Sequence, residues 1–459
     1  MKRLYLVLSD LHLSDVEDHA DGWKAHKASR YLPDEDLAAL LGDFEGRDDA
    51  AADKVLILNG DVFDFDLVTA VPGEEEDAGL HVSRSERRTG LDPSDAKSVW
   101  KLERMLGCHP VFLGALARLL LAGVKLVYVL GNHDREFHFG AVRRAFTEAL
   151  QARAREAGGQ LGDDCVRFEP WFFAEPGEIY VEHGQQYDHY SAFRYLLEPT
   201  CVRRGVEQIA LPMGNLSNRH LMNRMGTFNP HASDYILNLS RYFTHWLKHY
   251  AFRRRSLLFS WLWGSLVVMS RLLGIRRRLL RRKVDLEPAF ADLARRYEIG
   301  ADALRRLHAL QRPPITSRFF RVMREFWIDR VLIFLVLTGG TIALALVPIP
   351  LWIKLMVPLS SFPLLLFIYE TLVKGESIFS IEQRLPRIAR RIAALLPVQV
   401  VCFGHTHVPR LIPLDRELVF ADTGTWAPIF TRRGKLQPGL RNYLRVSVDG
   451  RVETHLGAW

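Results

Sequence analysis

Five times along this 459-residue chain, a run of four to six aliphatic, β-branched or aromatic residues stops abruptly at a cluster of Asp, His, Asn and Gly. The five stretches are "KRLYLVLSDLHLSD", "KVLILNGDVFDFD", "VKLVYVLGNHDRE", "EIYVEHGQQYD" and "VQVVCFGHTHVP". Runs so short and so uniformly apolar suit strands buried on both faces, which puts each polar cluster at a strand's C-terminal end. Helical patterns stand between them, over Ser94 to Leu121 and Gly140 to Ala157. Such alternation predicts a layered α/β fold with ligands at the strand ends. Pro72 to Pro93, acidic and then basic, reads as an exposed loop.

The strand-end residues share one chemistry. They are Asp10 and His12, Asp61, the run Asn132, His133 and Asp134, then His183, and last His405 and His407. Mixed oxygen and imidazole donors suit divalent transition ions, and a carboxylate can offer one oxygen to each of two ions. Asp61 is the natural bridge. Asp10, His12 and His407 then complete one site, and Asn132, His183 and His405 the other. Two ions so placed acidify a bridging water and clamp the oxygens of a phosphate. Manganese is the expected ion, with iron and zinc suited to the same donors. His19, His26, His220, His231, His245 and His249 read as surface or helix residues, and His138 and His189 as candidates for touching substrate.

The ordered series SDLH, NGD, GNHD, VEHG and GHTH resembles the five motifs of the calcineurin-like metallophosphoesterase superfamily. "VFADTGTW" resembles the strand and turn that follow them there. The resemblance covers 1–190 and 387–459. It implies a metallophosphoesterase β-sandwich flanked by helices, the seven metal ligands named above, and a hydroxide attacking phosphorus. It also implies that His133, paired with Asp134, protonates the leaving group or steadies the transition state. "GDVFDF" and the membrane-associated character are similar to the UDP-2,3-diacylglucosamine hydrolases, which act on a lipid-linked nucleotide diphosphate. This chain departs from them in having His133 where they commonly carry Arg, and in its large insertion. A non-catalytic scaffold on the same fold, and a nuclease, are the alternative readings.

Roughly 220 residues separate His183 from His405, far more than a connection needs. The division is therefore 1–190 and 387–459 for the catalytic domain and 191–386 for a helical insertion. Within the insertion, Pro199 to Tyr250 reads as polar and aromatic helices, and "LEPAFADLARRYEIGADALRRLHALQRPP" as a helical pair. Val331 to Val373 carries only Lys354 and Glu370 as charges, and its length permits a transmembrane hairpin turning at "VPIPLWIK". Trp327, Trp352 and Tyr369 stand at interface levels, and Arg318, Arg321, Arg324, Arg330 and Lys374 flank the hairpin as cytoplasmic ends should be flanked.

The net charge of +8 is concentrated in 251–283, which holds ten Lys or Arg and no acid. His183 and His405 must meet in one aqueous site, so the number of crossings between them is even. With two in the hairpin, Leu257 to Ile275 should lie in the membrane interface, its arginines on anionic lipid headgroups; the alternative even count makes this segment one span and the later run a single broken or re-entrant element. A basic excess tied to apolar runs points to membrane rather than nucleic acid. Hydrophobic and charged contents of 48% and 25% exclude a disordered chain and a polytopic transporter. The apolar run after "MKR" is too short for a signal peptide, and the four scattered cysteines suit a reducing compartment. The expectation is a phosphohydrolase on the cytoplasmic face of the inner membrane, with anionic lipids as partners and a phosphorylated, lipid-linked substrate.

Overall fold

The computed structural model describes residues 2–19, 24–46, 52–73, 79–225, 257–326, 328–372, 380–430 and 436–459. Its principal strands are β1 (Arg3–Leu8), β2 (Asp53–Asn59), β3 (Lys125–Val129), β4 (Val166–Glu169), β5 (Phe172–Glu175), β6 (Ile179–Glu182), β7 (Thr200–Arg203), β8 (Val206–Ile209), β9 (Val400–Phe403), β10 (Arg410–Pro413), β11 (Val419–Asp422), β12 (Asn442–Asp449) and β13 (Arg451–Ala458). The five apolar runs are β1, β2, β3, β6 and β9. One sheet has the order β13-β12-β1-β2-β3-β4 and the other β10-β11-β9-β6-β5. β1, β2, β3 and β4 run parallel, as do β6, β9 and β11. The polar ends of β1, β2 and β3 therefore come out on one edge of the first sheet, and those of β6 and β9 on one edge of the second.

The apolar runs are continuous because both faces of these strands are covered. Tyr5 and Phe173 bring the two sheets together, with ring centroids 6.4 Å apart. The pairing of Tyr5 with Val55 and of Val55 with Lys125 puts Tyr128 on the opposite face of the first sheet. There it meets Phe146 of a helix, Gly140–Glu156, at 6.0 Å. On the second sheet's far face, Phe172 stacks on Tyr297 at 5.1 Å. Tyr297 ends a helix, Glu287–Tyr297, that belongs to the 191–386 segment. That helix of the segment is thus built into the body of the protein.

Numbering the helices used below, α1 is Leu257–Arg281, α2 Glu287–Tyr297, α3 Ala301–Leu310, α4 Phe319–Glu325, α5 Ile328–Leu346 and α6 Leu351–Leu372. The expected helical pair is α2 and α3. Pro199 to Tyr250 is corrected in its first part: Thr200 to Ile209 forms the β7–β8 hairpin, and helix begins at Met213. Pro72 to Pro93 is corrected likewise, since it contains a short helix at Glu86–Thr89 with Glu86, Thr89 and Leu91 buried. Trp327, Lys374, His231, His245 and His249 lie outside the described residues.

Helix α1 does not stand on its own as an apolar element. Val268, Leu272, Ile275 and Leu279 form a buried stripe at helical spacing. Arg271 reaches Asp92 (3.5 Å), and Arg282 grips the Thr200 carbonyl (2.6 Å) and Glu198 (2.9 Å). Arg271, assigned to headgroups, and Arg282 just past the helix therefore fasten it to the protein instead.

The hairpin behaves differently. Ile328–Leu346 and Leu351–Thr371, of 19 and 21 residues, are long and apolar enough to cross a membrane, and the rest of the protein buries none of their apolar length. At about 1.5 Å per residue each reaches about 30 Å, the thickness of a hydrocarbon core. Phe334 meets Phe362 across the pair, and Arg330 clasps Glu370 at its base (2.6 Å). Arg330, expected as a flanking charge, is thus already neutralised within the hairpin. The bent helix pair Asp95–Cys108 and Pro110–Leu121 is also apolar enough to be considered as a span. Its Leu102, Met105, Phe112, Leu113 and Leu116 are buried in the core, which accounts for its composition.

Candidate metal centre

The turn after β1 is fastened to the turn after β2. The backbone N–H of Asp10 donates to the Gly60 carbonyl, that of His12 to Asp61, and that of Leu13 to Val62, at 2.9–3.1 Å. The turn after β9 joins them when the His405 N–H donates to the Asp10 carboxylate (3.0 Å to Oδ2). Asp10, His12, Asp61, His405 and His407 all adopt left-handed backbone conformations, with φ between 48° and 70°. Each such residue costs roughly 1–3 kcal/mol, a strain that collects where side chains must be aimed.

The side chains converge. Asp10, His12 and His407 offer ligand atoms within 4.8 Å of one another, and so do Asp61, His183 and His405. His407 Nε2 lies 3.1 Å from Asp10 Oδ1 and 3.2 Å from His12 Nε2. His183 Nε2 lies 3.1 Å from Asp61 Oδ2, without hydrogen-bond geometry. Six of the seven expected ligands thus fall into the two groups expected of them. The seventh, Asn132, is buried, and its Oδ1 has no hydrogen-bond partner among the described residues.

The imidazoles are set for metal binding. His183 donates its Nδ1–H to the Asn59 carbonyl (2.9 Å), which leaves Nε2 as the nitrogen available to a metal ion. His12 donates Nδ1–H to Asp64 (3.0 Å), which leaves its Nε2 lone pair toward His407. Fixing the tautomer through the second nitrogen is the usual support of a ligating histidine. At His183 Nε2 a metal ion can take the place of the proton that faces Asp61, and a buried amide oxygen with no donor among the described residues calls for a cation as well.

The electrostatics point the same way. Burial raises the pKa of Asp10, but His183 and His407 pull it down to about 2. Burial likewise works against ionising Asp61, and His183 and His133 hold it well below the carboxylate range. Burial would lower the pKa of His183, yet Asp61 and Asp10 hold it up at about 9. The buried carboxylates demand positive charge, which the histidines meet with protons. A divalent cation meets the same demand directly. On donor chemistry and orphaned atoms, the residues fit a metal ion.

His133 and Asp134 are not a pair. His133 Nδ1 faces Asp64 and Asp66, each at 3.3 Å. Asp134 accepts from the N–H groups of Val62 (2.9 Å) and Gly131 (2.7 Å) and from the Tyr128 hydroxyl (2.7 Å). It staples the turns after β2 and β3 together and has no free oxygen to orient an imidazole. The proximity of consecutive residues suggested a pairing that the backbone turn between them prevents.

Seven further residues serve the site. Asp64 holds His12 and, with Asp66, His133; both follow Asp61 in "GDVFDFD", where alternating acids were the available signal. Asp188 lies 3.2 Å from His405 Nε2. Asn215 donates to Asp66 (2.5 Å) and to the Asn132 carbonyl (2.9 Å), and nothing in its sequence surroundings marks it. Thr425 and Trp426 of "VFADTGTW" donate to the Asp10 carbonyl (2.9 and 3.0 Å), and Asp422 accepts from Thr406 between the two histidines (2.7 Å). His138 joins no metal-ligand group among the described residues. His220 lies in a helical turn, Asn218–Met222, and is buried.

Glycines make this convergence possible by their lack of bulk. A Cβ on Gly131 would stand 2.2 Å from Asp61 Oδ1 and 2.5 Å from the Asp61 nitrogen, and one on Gly404 2.6 Å from Asp10 Oδ2. Gly131→Ala is expected to displace Asp61 and weaken metal affinity by about a hundredfold, the upper range for disturbing a ligand's support. Competition against a chromogenic chelator measures this; unchanged affinity in a folded variant would show that Asp61 holds no metal. No known protein-family model matches this sequence, and a search among curated proteins finds no match to it.

Proposed function

We propose that the chain is a two-metal phosphohydrolase of the calcineurin-like metallophosphoesterase kind, its two sheets forming that family's sandwich and its hairpin holding it at the cytoplasmic face of the inner membrane. The observation that carries this reading is the gathering of Asp10, His12 and His407, and of Asp61, His183 and His405, into two close groups, together with a buried Asn132 Oδ1 that has no donor among the described residues. Asp10, His12 and His407 would hold one ion, and Asn132, His183 and His405 the other, with Asp61 shared. Manganese, iron and zinc all suit these donors. Two such ions supply Lewis acidity toward water and neutralise charge on a phosphate's oxygens.

The remaining work falls to the protein. Asp64 and Asp66 fix the ring of His133, so that its other nitrogen keeps one direction. Burial opposes protonation of His133, but Asp64 and Asp61 hold its pKa well above the usual value. A charged, oriented imidazolium of this kind can give a proton to a departing alkoxide or stabilise charge that builds on phosphoryl oxygens. Asn215 positions Asn132 from outside the strand framework. Anionic lipids as partners, a phosphorylated and lipid-linked substrate, and the absence of a nucleic-acid partner follow from the same reading, since the basic residues accompany the apolar helices.

The test uses the full chain in neutral detergent. With Mn²⁺ it should hydrolyse an aryl phosphodiester or phosphomonoester, lose this on chelation and regain it on adding metal back. Metal-loaded protein that turns over neither ester, or turnover indifferent to chelation, would contradict the reading.

A further inference from the structure

A cleft of about 780 Å³ opens where the hairpin meets the body, between the loop after β6, helix α1, helix α4 and the hairpin's base. Four guanidinium groups line it: Arg276 from α1, and Arg318, Arg321 and Arg324 from the approach to the hairpin. None of the four makes an ion pair among the described residues, and the Nε of Arg276 is buried without a hydrogen-bond partner there. The cleft's two carboxylates are already engaged. Glu325 accepts from the Tyr190 hydroxyl (2.7 Å), and Asp329 from the Tyr369 hydroxyl and Arg330 (3.3 Å). Four guanidinium groups against two carboxylates leave the cavity with net positive charge.

The arrangement is held from behind. His189 donates Nδ1–H to the Pro313 carbonyl (2.9 Å), so its Nε2 accepts from Arg312 (2.6 Å), and Arg321 lies 3.4 Å from the same ring. The residue before it, Asp188, lies 3.2 Å from His405 of the metal centre. The loop that walls the cleft thus also touches a candidate metal ligand. On the other side Phe319 and Phe320 stand exposed at the lip, Phe320 by 84%, next to the apolar hairpin.

We propose that this cleft binds the phosphate of a membrane lipid, with Arg276, Arg318, Arg321 and Arg324 around the anion and the acyl chains left beside Phe320 and the hairpin. Several guanidinium groups converging on one cavity are the usual means of holding a phosphate ester. The base of a membrane hairpin stands at headgroup level, which favours a lipid over a soluble phosphate as the source. The inference rests on the phosphohydrolase reading for what becomes of the lipid, that is, as the substrate class of that site, and not for the binding itself.

The test measures binding to the full chain in neutral detergent, with dioctanoyl phosphatidate, dioctanoyl phosphatidylcholine and inorganic phosphate as probes. Phosphatidate should bind, and Arg321→Gln with Arg324→Gln should weaken it at least about tenfold. Arg277→Gln with Arg281→Gln, which removes two exposed charges of α1 outside the cleft, should leave it unchanged. Equal weakening by both pairs would reduce the effect to diffuse charge and overturn the site. Inorganic phosphate binding as tightly as phosphatidate would overturn the lipid source, as would phosphatidylcholine binding untouched by the cleft variants. Unfolding midpoints matching the unsubstituted chain exclude a folding defect, and Arg321→Lys with Arg324→Lys, retaining charge, should recover part of the affinity. Cleft-dependent binding in a protein that hydrolyses no phosphoester would leave this inference standing and remove the catalytic one.

Discussion

Asp61→Ala should abolish metal-dependent phosphoester hydrolysis, lowering turnover by at least about a thousandfold. The size follows from its position. Asp61 Oδ1 accepts the His133 N–H (2.7 Å), while Oδ2 lies 3.1 Å from His183, so one carboxylate touches both the catalytic candidate and a ligand group. Its loss removes the proposed shared ligand, takes from His183 the carboxylate facing its Nε2 and from the His133 N–H its acceptor, and opens a hole beside Gly131. His407→Ala should cost less, because Asp10 and His12 remain on its side of the site. Steady-state rates with saturating Mn²⁺ decide the matter, and full turnover in both variants would mean that the reaction occurs elsewhere.

Replacing 331–373 with a short polar linker should move the protein from membranes into solution, with the bound fraction falling from nearly all to under about a tenth. Two helices that the body does not cover account for this, whereas Val268, Leu272, Ile275 and Leu279 of α1 are buried against the protein. Hydrolysis of a soluble aryl phosphate should survive, because β1 to β6 and β9 carry the site without the hairpin. Hydrolysis of a lipid-linked substrate should fall sharply. Membrane binding of the deletion variant after high-salt washing would show that α1 inserts after all, and equal loss of both activities would make the hairpin part of the catalytic body.

The strands and the ligand positions were legible because each is written locally. A strand buried on both faces must be apolar throughout, and its end must turn, so the break from "LYLVL" to Ser9-Asp10 marks both at once. The grouping of ligands was legible too, since parallel strands put all their ends on one edge. What stayed hidden depends on distant packing. Asn215 reaches Asn132 across 83 positions. The Arg271–Asp92 contact turns an expected membrane-surface helix into a docked one, a choice between two polar surroundings that a single helical stripe cannot specify. The His133–Asp134 pairing failed for a local reason: the turn sends consecutive side chains apart, to Asp64 on one side and to Tyr128 on the other.

The central claim, a built two-metal centre, is tested most directly by counting the metal. Full-length protein loaded with Mn²⁺, desalted and analysed by mass spectrometry should retain about two ions per chain, and Asp61→Ala should retain clearly fewer. Wild-type protein that keeps no more manganese, iron or zinc than Asp61→Ala would contradict the account.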